Sequence, residues 1–284
     1  MTTPVTMPGA RPARTARLGR TPLPLGIAAA AAVLFLLLPL LGLLLRAPWS
    51  DLGRHLGDPV VADALRLSVV CSLGSLAVAV VLGVPLAWVL ARRDFRGRSL
   101  LRALVTLPLV LPPVVGGVAL LRAFGRNGVL GSWLDEVGIR LAFTTTGAVL
   151  AGAFVAMPFL VLAVEGAIAG LDERHEEVAA TLGSSPLRVF RTVTLPLVAP
   201  GLAAGAALAW ARALGEFGAT ITFAGNLQGE TQTLPLAVYL LLLDDPDAAT
   251  AVSLLLLVVS IAVLVLLRGR WLGAARRPAG RPAS

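Results

Sequence analysis

This chain of 284 residues has no lysine; all 24 of its basic residues are arginine. A phosphate-cradling loop ending in Gly-Lys-Ser/Thr is therefore excluded, and with it the route by which the chain would power itself with ATP. The single cysteine, Cys71, rules out an internal disulfide and is expected to be a small apolar packing residue. There are only two histidines, His55 and His175, both in loops. No paired His-Glu zinc helix and no Gly-x-Ser-x-Gly elbow exists, so the sequence offers neither a catalytic residue nor a metal ligand set. Charge is scarce as well, at 14% of residues.

Apolar residues fill the space that charge leaves. They make up 57% of the chain, and the mean hydropathy is +0.85. A soluble globule of this length has too little interior for that much apolar surface, so the sequence reads as an all-α membrane protein. Charge-free windows run from Leu23 to Leu45, Leu67 to Ala91, Ala103 to Leu121, Leu141 to Val164, Thr192 to Ala211 and Ala248 to Leu267. Each is close to the roughly 20 residues that cross about 30 Å of hydrocarbon as a helix, which predicts six spans, the fifth shifted outward past Thr192. A seventh run, Thr231 to Leu243, is shorter and carries Pro235, so a re-entrant or interfacial piece is expected there.

Arginine clusters predict the orientation. Arg11, Arg14, Arg17 and Arg20 precede the first span, Arg92, Arg93, Arg96, Arg98 and Arg102 follow the second, and Arg268, Arg270, Arg276, Arg277 and Arg281 follow the last. Positive loops stay in the cytoplasm, which places both termini there. The net charge of +8 is this topology signal and an arginine-rich composition, without the aromatic-interleaved basic patch of a nucleic-acid binder. The first apolar run exceeds a secretory signal's core and five more follow, so it reads as a retained helix. Residues 1–22, rich in Pro, Thr and Arg, are expected to be a disordered cytoplasmic tail, and 269–284 a second cytoplasmic tail.

Between the fourth and fifth windows lies EEVAATLGSSPLRVFRTVTLP, residues 176–196. Asp172 is a plausible helix N-cap, with Glu173, Glu176 and Glu177 in the first turns where the helix dipole favours negative charge. Gly183 suits a left-handed helix end, and Ser185-Pro186 offers a new start, so two short helices joined by a bend are expected. On the second, Leu187, Phe190 and Thr194 fall on one face. The skeleton Glu177, Ala179, Gly183, Val193, Leu195-Pro196 resembles the "EAA" loop of bacterial ABC-importer permeases, departing only at Val178 and Val193. In that family the knuckle docks in a cleft of the ATP-binding subunit. The resemblance implies that Glu177 stabilises the bend or meets the ATPase, that Ala179, Ala180, Leu187 and Phe190 belong to the docking element, that Gly183 permits the turn, and that Leu195-Pro196 starts the fifth span.

The second informative stretch is WARALGEFGATITFAGNLQGETQTLPLAVY, residues 210–239. Arg212 and Glu216, four apart, share a helix face and can pair, since an unpaired charge at the bilayer centre costs about 2.5–3.5 kcal/mol. They are either a structural ion pair or part of a gate. Gly215, Gly218, Thr220, Thr222, Gly225, Asn226, Thr231, Gln232 and Thr233 are small or neutral donors, which either line a path for a divalent tetrahedral anion or simply pack helices together. GEFGAT, FAGN and TQTLPLA resemble molybdate permeases, with tungstate and sulfate permeases as close relatives. In the third window, Pro108, Pro112, Pro113, Gly116 and Gly117 disrupt backbone hydrogen bonding and are expected to line the pore.

Taken together, these features imply a six-helix permease subunit of a type I ABC importer in a bacterial inner membrane, for molybdate, with tungstate or sulfate as the alternative. The resemblance implies a homodimer, two ATP-binding subunits and an extracytoplasmic binding protein, with Mg-ATP on the partner and no cofactor, metal or catalytic residue on this chain. An ATP-independent channel or secondary transporter would need no docking loop and would show inverted repeats, of which the sequence has no sign.

Overall fold

The structure, a computed structural model, describes residues 22–274. Residues 1–21 and 275–284, including Arg11, Arg14, Arg17, Arg20, Arg276, Arg277 and Arg281, lie outside the described residues, and with them most of both expected tails; residues 269–274 continue the last helix. Every regular element among the described residues is helical. Residues up to Arg46 and from Ala47 onward form two units. The first contributes α1 (Leu23–Leu45), an uncharged helix of 23 residues.

The second unit begins with the short α2 (Leu52–Leu56) and the long α3 (Pro59–Arg92). Asp58 starts α3 by accepting the Val60 N–H on Oδ1 at 2.8 Å, with Pro59 in the first helical position where a missing N–H costs nothing. At 34 residues α3 is about 50 Å long, well beyond the Leu67 to Ala91 window. Two helices follow, α4 (Arg98–Val110) and α5 (Pro113–Phe124), then the short α6 (Gly131–Glu136) and α7 (Thr145–Ala169), whose N-cap Thr144 accepts the Gly147 N–H. The described residues continue through α8 (Arg174–Thr181), α9 (Pro186–Val189), α10 (Leu195–Leu214), α11 (Gly218–Phe223), α12 (Leu234–Asp244) and α13 (Pro246–Ala274).

The third expected span is not one helix. α4 and α5 meet at 119°, broken at Leu111-Pro112. Leu111 is held extended, as a residue before proline must be, and Pro112 and Pro113 bring no N–H to continue the ladder. The break is clean: Leu111 N–H still reaches Leu107 O, and Gly116 N–H reaches Pro112 O. Among the described residues, five helices are therefore long and apolar enough to cross a membrane, six if the bent pair counts as one. At 11 residues, α12 is too short for a full crossing, in keeping with the interfacial or re-entrant reading.

α3, α7 and α10 form the central packing unit. Between apolar helices in lipid there is little hydrophobic drive, so close van der Waals contact must hold them, and small residues permit it. A Cβ on Gly205 would lie 2.8 Å from Ala163 Cβ, and one on Gly201 only 2.5 Å from Ala167 Cβ. Ala79, Ala87, Ala156, Leu160, Val164 and Ala209 fill the seam. Serine hydroxyls along α3 complete it: Ser72 accepts the Trp210 indole N–H at 3.0 Å, and Ser68 accepts the Leu234 N–H at 2.7 Å, fixing the start of α12.

Candidate functional site

The elbow at 172–196 is closed by its own backbone. Asp172 Oδ1 takes the Arg174 N–H at 3.0 Å, and α8 then runs to Thr181. Gly183 has φ +83°, its N–H reaches Ala180 O at 3.0 Å, and the Ser184 N–H reaches Ala179 O at 3.2 Å. That is the Schellman ending, and it needs the left-handed residue that glycine supplies without strain. Nothing lies within 4 Å of a Cβ built on Gly183, so backbone conformation alone constrains the site. Glu177 and Ala180 are exposed, Ala179 is half-buried, and Glu177 makes no ion pair among the described residues.

Beyond the bend the structure corrects one expectation. The second short helix does not stop before the fifth span: Pro186 to Leu214 is one continuous helix of 29 residues. A π-helical turn, Phe190–Thr194, joins α9 to α10, with the Leu195 N–H reaching back to Phe190 O. Widening the turn accommodates Pro196, which has no N–H and whose ring would clash in an unbroken α-ladder. The extra residue also splits the expected face. Leu187 points outward and is 66% exposed, Phe190 is half-buried edge-on to Trp88, and Thr194 is fully buried. Leu187 and Phe190 help line an apolar cleft of about 380 Å³ with Pro85, Trp88 and Val89 of α3.

Thr194 turns inward because Glu176 is there. Its hydroxyl donates to Glu176 Oε1, while Glu176 Oε2 lies 2.7 Å from Nε of Arg92, the last residue of α3. Arg92 Nη1 lies 3.3 Å from Glu173 Oε1. The Arg92 and Glu176 side chains are only 9% and 18% exposed. Of the adjacent Glu176 and Glu177, the sequence motif singles out Glu177. The signal that could have found Glu176 is its helical offset: it sits one residue earlier, on the face turned toward the spans.

Deeper in the second unit, Arg212 and Glu216 do meet, Nη1 to Oε2 at 2.5 Å. They do so across a helix end, not along one helix face as expected, because α10 stops at Leu214. Glu216 sits in the gap and accepts the Ala219 N–H on Oε1 at 2.8 Å, capping α11. A third pair, unforeseen from sequence, joins α4 to α7: Arg102 donates through Nε, at 3.0 Å, and Nη2 to Glu165 Oε1, with Glu165 nearly buried.

The small and hydroxylic residues of 215–233 divide by what they touch. Thr222 Oγ1 donates to Gly218 O at 2.8 Å, Thr231 Oγ1 accepts the Leu227 N–H at 2.9 Å, and Asn226 Nδ2 donates to Leu236 O at 3.1 Å. These three groups serve local structure. Gly117 and Gly218 are packing residues: an added Cβ on Gly117 would lie 2.6 Å from Thr222 Cβ and 2.8 Å from Ala219 O, and one on Gly218 2.8 Å from Pro113 Cβ. Gly116 faces Phe154, and Gly225 takes φ +77°. Thr220, Gln232 and Thr233 are buried, and Gly215 is exposed. Thr233 Oγ1 and Asn226 Oδ1 are buried without a hydrogen-bond partner among the described residues. Pro108 lines a cavity of about 240 Å³ with Leu104, Phe154 and Met157, while Pro112 and Pro113 lie exposed at the break. No group of three or more His, Cys, Asp or Glu among the described residues could hold a metal ion.

Residues 79–275 match the family described as binding-protein-dependent transport system inner membrane component. The chain belongs to that family. Both the elbow and the 212–233 stretch fall inside the match, as do Arg92 and α4 to α7. The chain is 50% identical over 237 residues to the molybdenum transport system permease protein ModB of Mycobacterium tuberculosis, covering 84% of this chain and 90% of the relative. It is 36% identical over 246 residues to the sulfate transport system permease protein CysT of Salmonella typhimurium, covering 85% and 89%. In structure it resembles a chain of a bacterial ABC transporter that imports the acidic polysaccharide alginate, with a TM-score of 0.70, 19% identity and coverage of 87% and 92%. That likeness establishes a shared fold. As a member of the binding-protein-dependent transport family with several apolar spans, the chain is a multi-pass inner-membrane protein.

Proposed function

We propose that this chain is the permease subunit of a type I ABC importer for molybdate, working as a homodimer with a separate ATP-binding subunit and an extracytoplasmic molybdate-binding protein. The observation that carries the reading is the elbow. Its bend is closed by backbone geometry, and it carries Val178, Leu182 and Leu187 at 59%, 81% and 66% exposure on a polar loop. A rigid projection with uncovered apolar side chains is built to be covered by another protein. Both termini and the elbow face the cytoplasm, as the arginine distribution argues, so the covering subunit is cytoplasmic. It holds the Mg-ATP. In this reading the chain itself carries no cofactor or catalytic group; without lysine it has no Gly-Lys-Ser/Thr phosphate loop of its own. Closure of the ATPases draws the two elbows together and opens the pore outward, and hydrolysis reverses it.

The buried Thr220, Gln232 and Thr233, with the neutralised Arg212–Glu216 pair, suit a path that passes a divalent tetrahedral anion without trapping it. Molybdate is favoured over sulfate by 50% identity to ModB against 36% to CysT. Tungstate, of the same charge and shape, is the runner-up. The assembled complex in liposomes, loaded with ATP, tests this: molybdate with its binding protein should stimulate ATP hydrolysis and accumulate inside. Stimulation by sulfate and not by molybdate would overturn the assignment.

A further inference from the structure

Family membership explains why the elbow projects; it leaves open how its displacement would reach the spans. One carboxylate offers a route. Glu176 stands in the first turn of α8, where the helix dipole favours an anion, and Arg92 is the terminal residue of α3, where the dipole favours a cation. The two oxygens of Glu176 serve different helices, Oε2 holding Arg92 of α3 and Oε1 the hydroxyl of Thr194 in the π-helical turn. Trp88, one turn before Arg92, sits edge-on to Phe190 with ring centroids 6.2 Å apart, and Arg93 lies 5.5 Å over the Trp88 ring.

Stability alone does not account for such a node. A nearly buried ion pair contributes little net stabilisation, because desolvation offsets its Coulombic gain. This one also leaves Arg92 Nε and Nη2 buried with no hydrogen-bond partner among the described residues, so its contact with Glu176 is an ion pair without a formed hydrogen bond. Direction is what the arrangement specifies. Three elements are fixed to one another at one point, and one of them is a π-turn, a local departure from the α-ladder common at functional sites.

We infer that Arg92, Glu176 and Thr194 form a positioning node that passes a displacement of the elbow into α3 and α10 together. This rests on the docking reading above. If the elbow is pushed, α8 cannot tilt without carrying the end of α3 and the base of α10 with it. Glu177, exposed on the neighbouring face, is left free for the partner.

The test counts anion imported per ATP hydrolysed by the complete complex, with ATP-binding subunit and binding protein, in liposomes. Arg92→Gln and Glu176→Gln should each lower that ratio at least tenfold while the complex still assembles and hydrolyses ATP. Combining Arg92→Glu with Glu176→Arg should recover part of it. A merely structural role would lower both rates together and leave the ratio unchanged. Thr194→Val, the mildest change, should lower the ratio by about threefold, and it decides the matter if the charge variants do not assemble. A wild-type ratio in Thr194→Val and in any charge variant that assembles overturns the node. Gly183→Trp separates the two claims: if it destroys the ratio while the node variants keep it, only the node fails, and if it too keeps a wild-type ratio, the docking reading fails.

Discussion

Arg212 and Glu216 are bound at 2.5 Å although the helix that would align them ends two residues before Glu216. The pair closes the end of α10 and, through Glu216 Oε1 and the Ala219 N–H, starts α11. Two jobs on one carboxylate make its substitutions unequal.

Arg212→Gln leaves an almost fully buried carboxylate without its counter-charge and should cost about 3 kcal/mol. Glu216→Gln keeps an acceptor for Ala219 and strands only the more exposed Arg212, so it should cost clearly less. Exchanging the two residues restores the pair and loses the cap, since arginine cannot accept, and should fall between them. Thermal unfolding in detergent gives the order; equal loss from Arg212→Gln and Glu216→Gln would contradict it.

Arg102 and Glu165 tie the first half of the broken span to α7. Glu165 is nearly buried and Arg102 is half-exposed, so Arg102→Gln should cost about 2 kcal/mol after allowing for solvent around the guanidinium. Replacing both by leucine should be milder than either single change, read as the unfolding midpoint of the purified protein.

How much of this was legible beforehand follows from what each signal depends on. Gly183 was readable because a left-handed helix end is local: the residue type required is set by a few backbone torsions; Asp172, expected as the N-cap, stands one residue before it, the N-cap of α8 being Glu173, and its carboxylate takes the Arg174 N–H from there. The apolar stretches were readable because bilayer thickness sets their length. The 119° break was not, since prolines announce that a ladder ends without saying where the next helix points. Nor were the partners of Arg92 and Arg102, which lie 84 and 63 positions away at Glu176 and Glu165 and are set by packing. Thr222 and Thr231 were candidates for the anion path on composition, and their hydrogen bonds turn out to close local backbone.

Gly117→Ala should destabilise by about 1–3 kcal/mol, because one of the atoms it meets, Ala219 O at 2.8 Å, is backbone and cannot be trimmed away. Gly166→Ala in α7, where nothing lies within 4 Å, should be neutral or slightly stabilising. The two unfolding midpoints should move in opposite directions or differ by several degrees.

In the short helix α6, Asp135 takes Arg140 Nε at 2.9 Å and Arg126 Nε at 3.0 Å. The Arg140 contact first, then Arg126, holds its carboxyl below the ordinary 3.8. With the folded value lowered, any stabilisation by the cluster is complete above that ordinary value and is lost as pH falls through the folded one. The Asp135 carboxyl carbon in NMR should titrate below 3.8 and move up more in Arg140→Gln than in Arg126→Gln.

The central claim is that the elbow borrows its driving force from a separate ATP-hydrolysing subunit. Its most direct test is molybdate accumulation in liposomes containing the purified chain, with and without the ATP-binding subunit, supplied with binding protein and either ATP or an ion gradient. Uptake above equilibrium is predicted only where ATP and the partner subunit are both present. Concentration of the anion by the chain alone, on the ion gradient, would contradict the account.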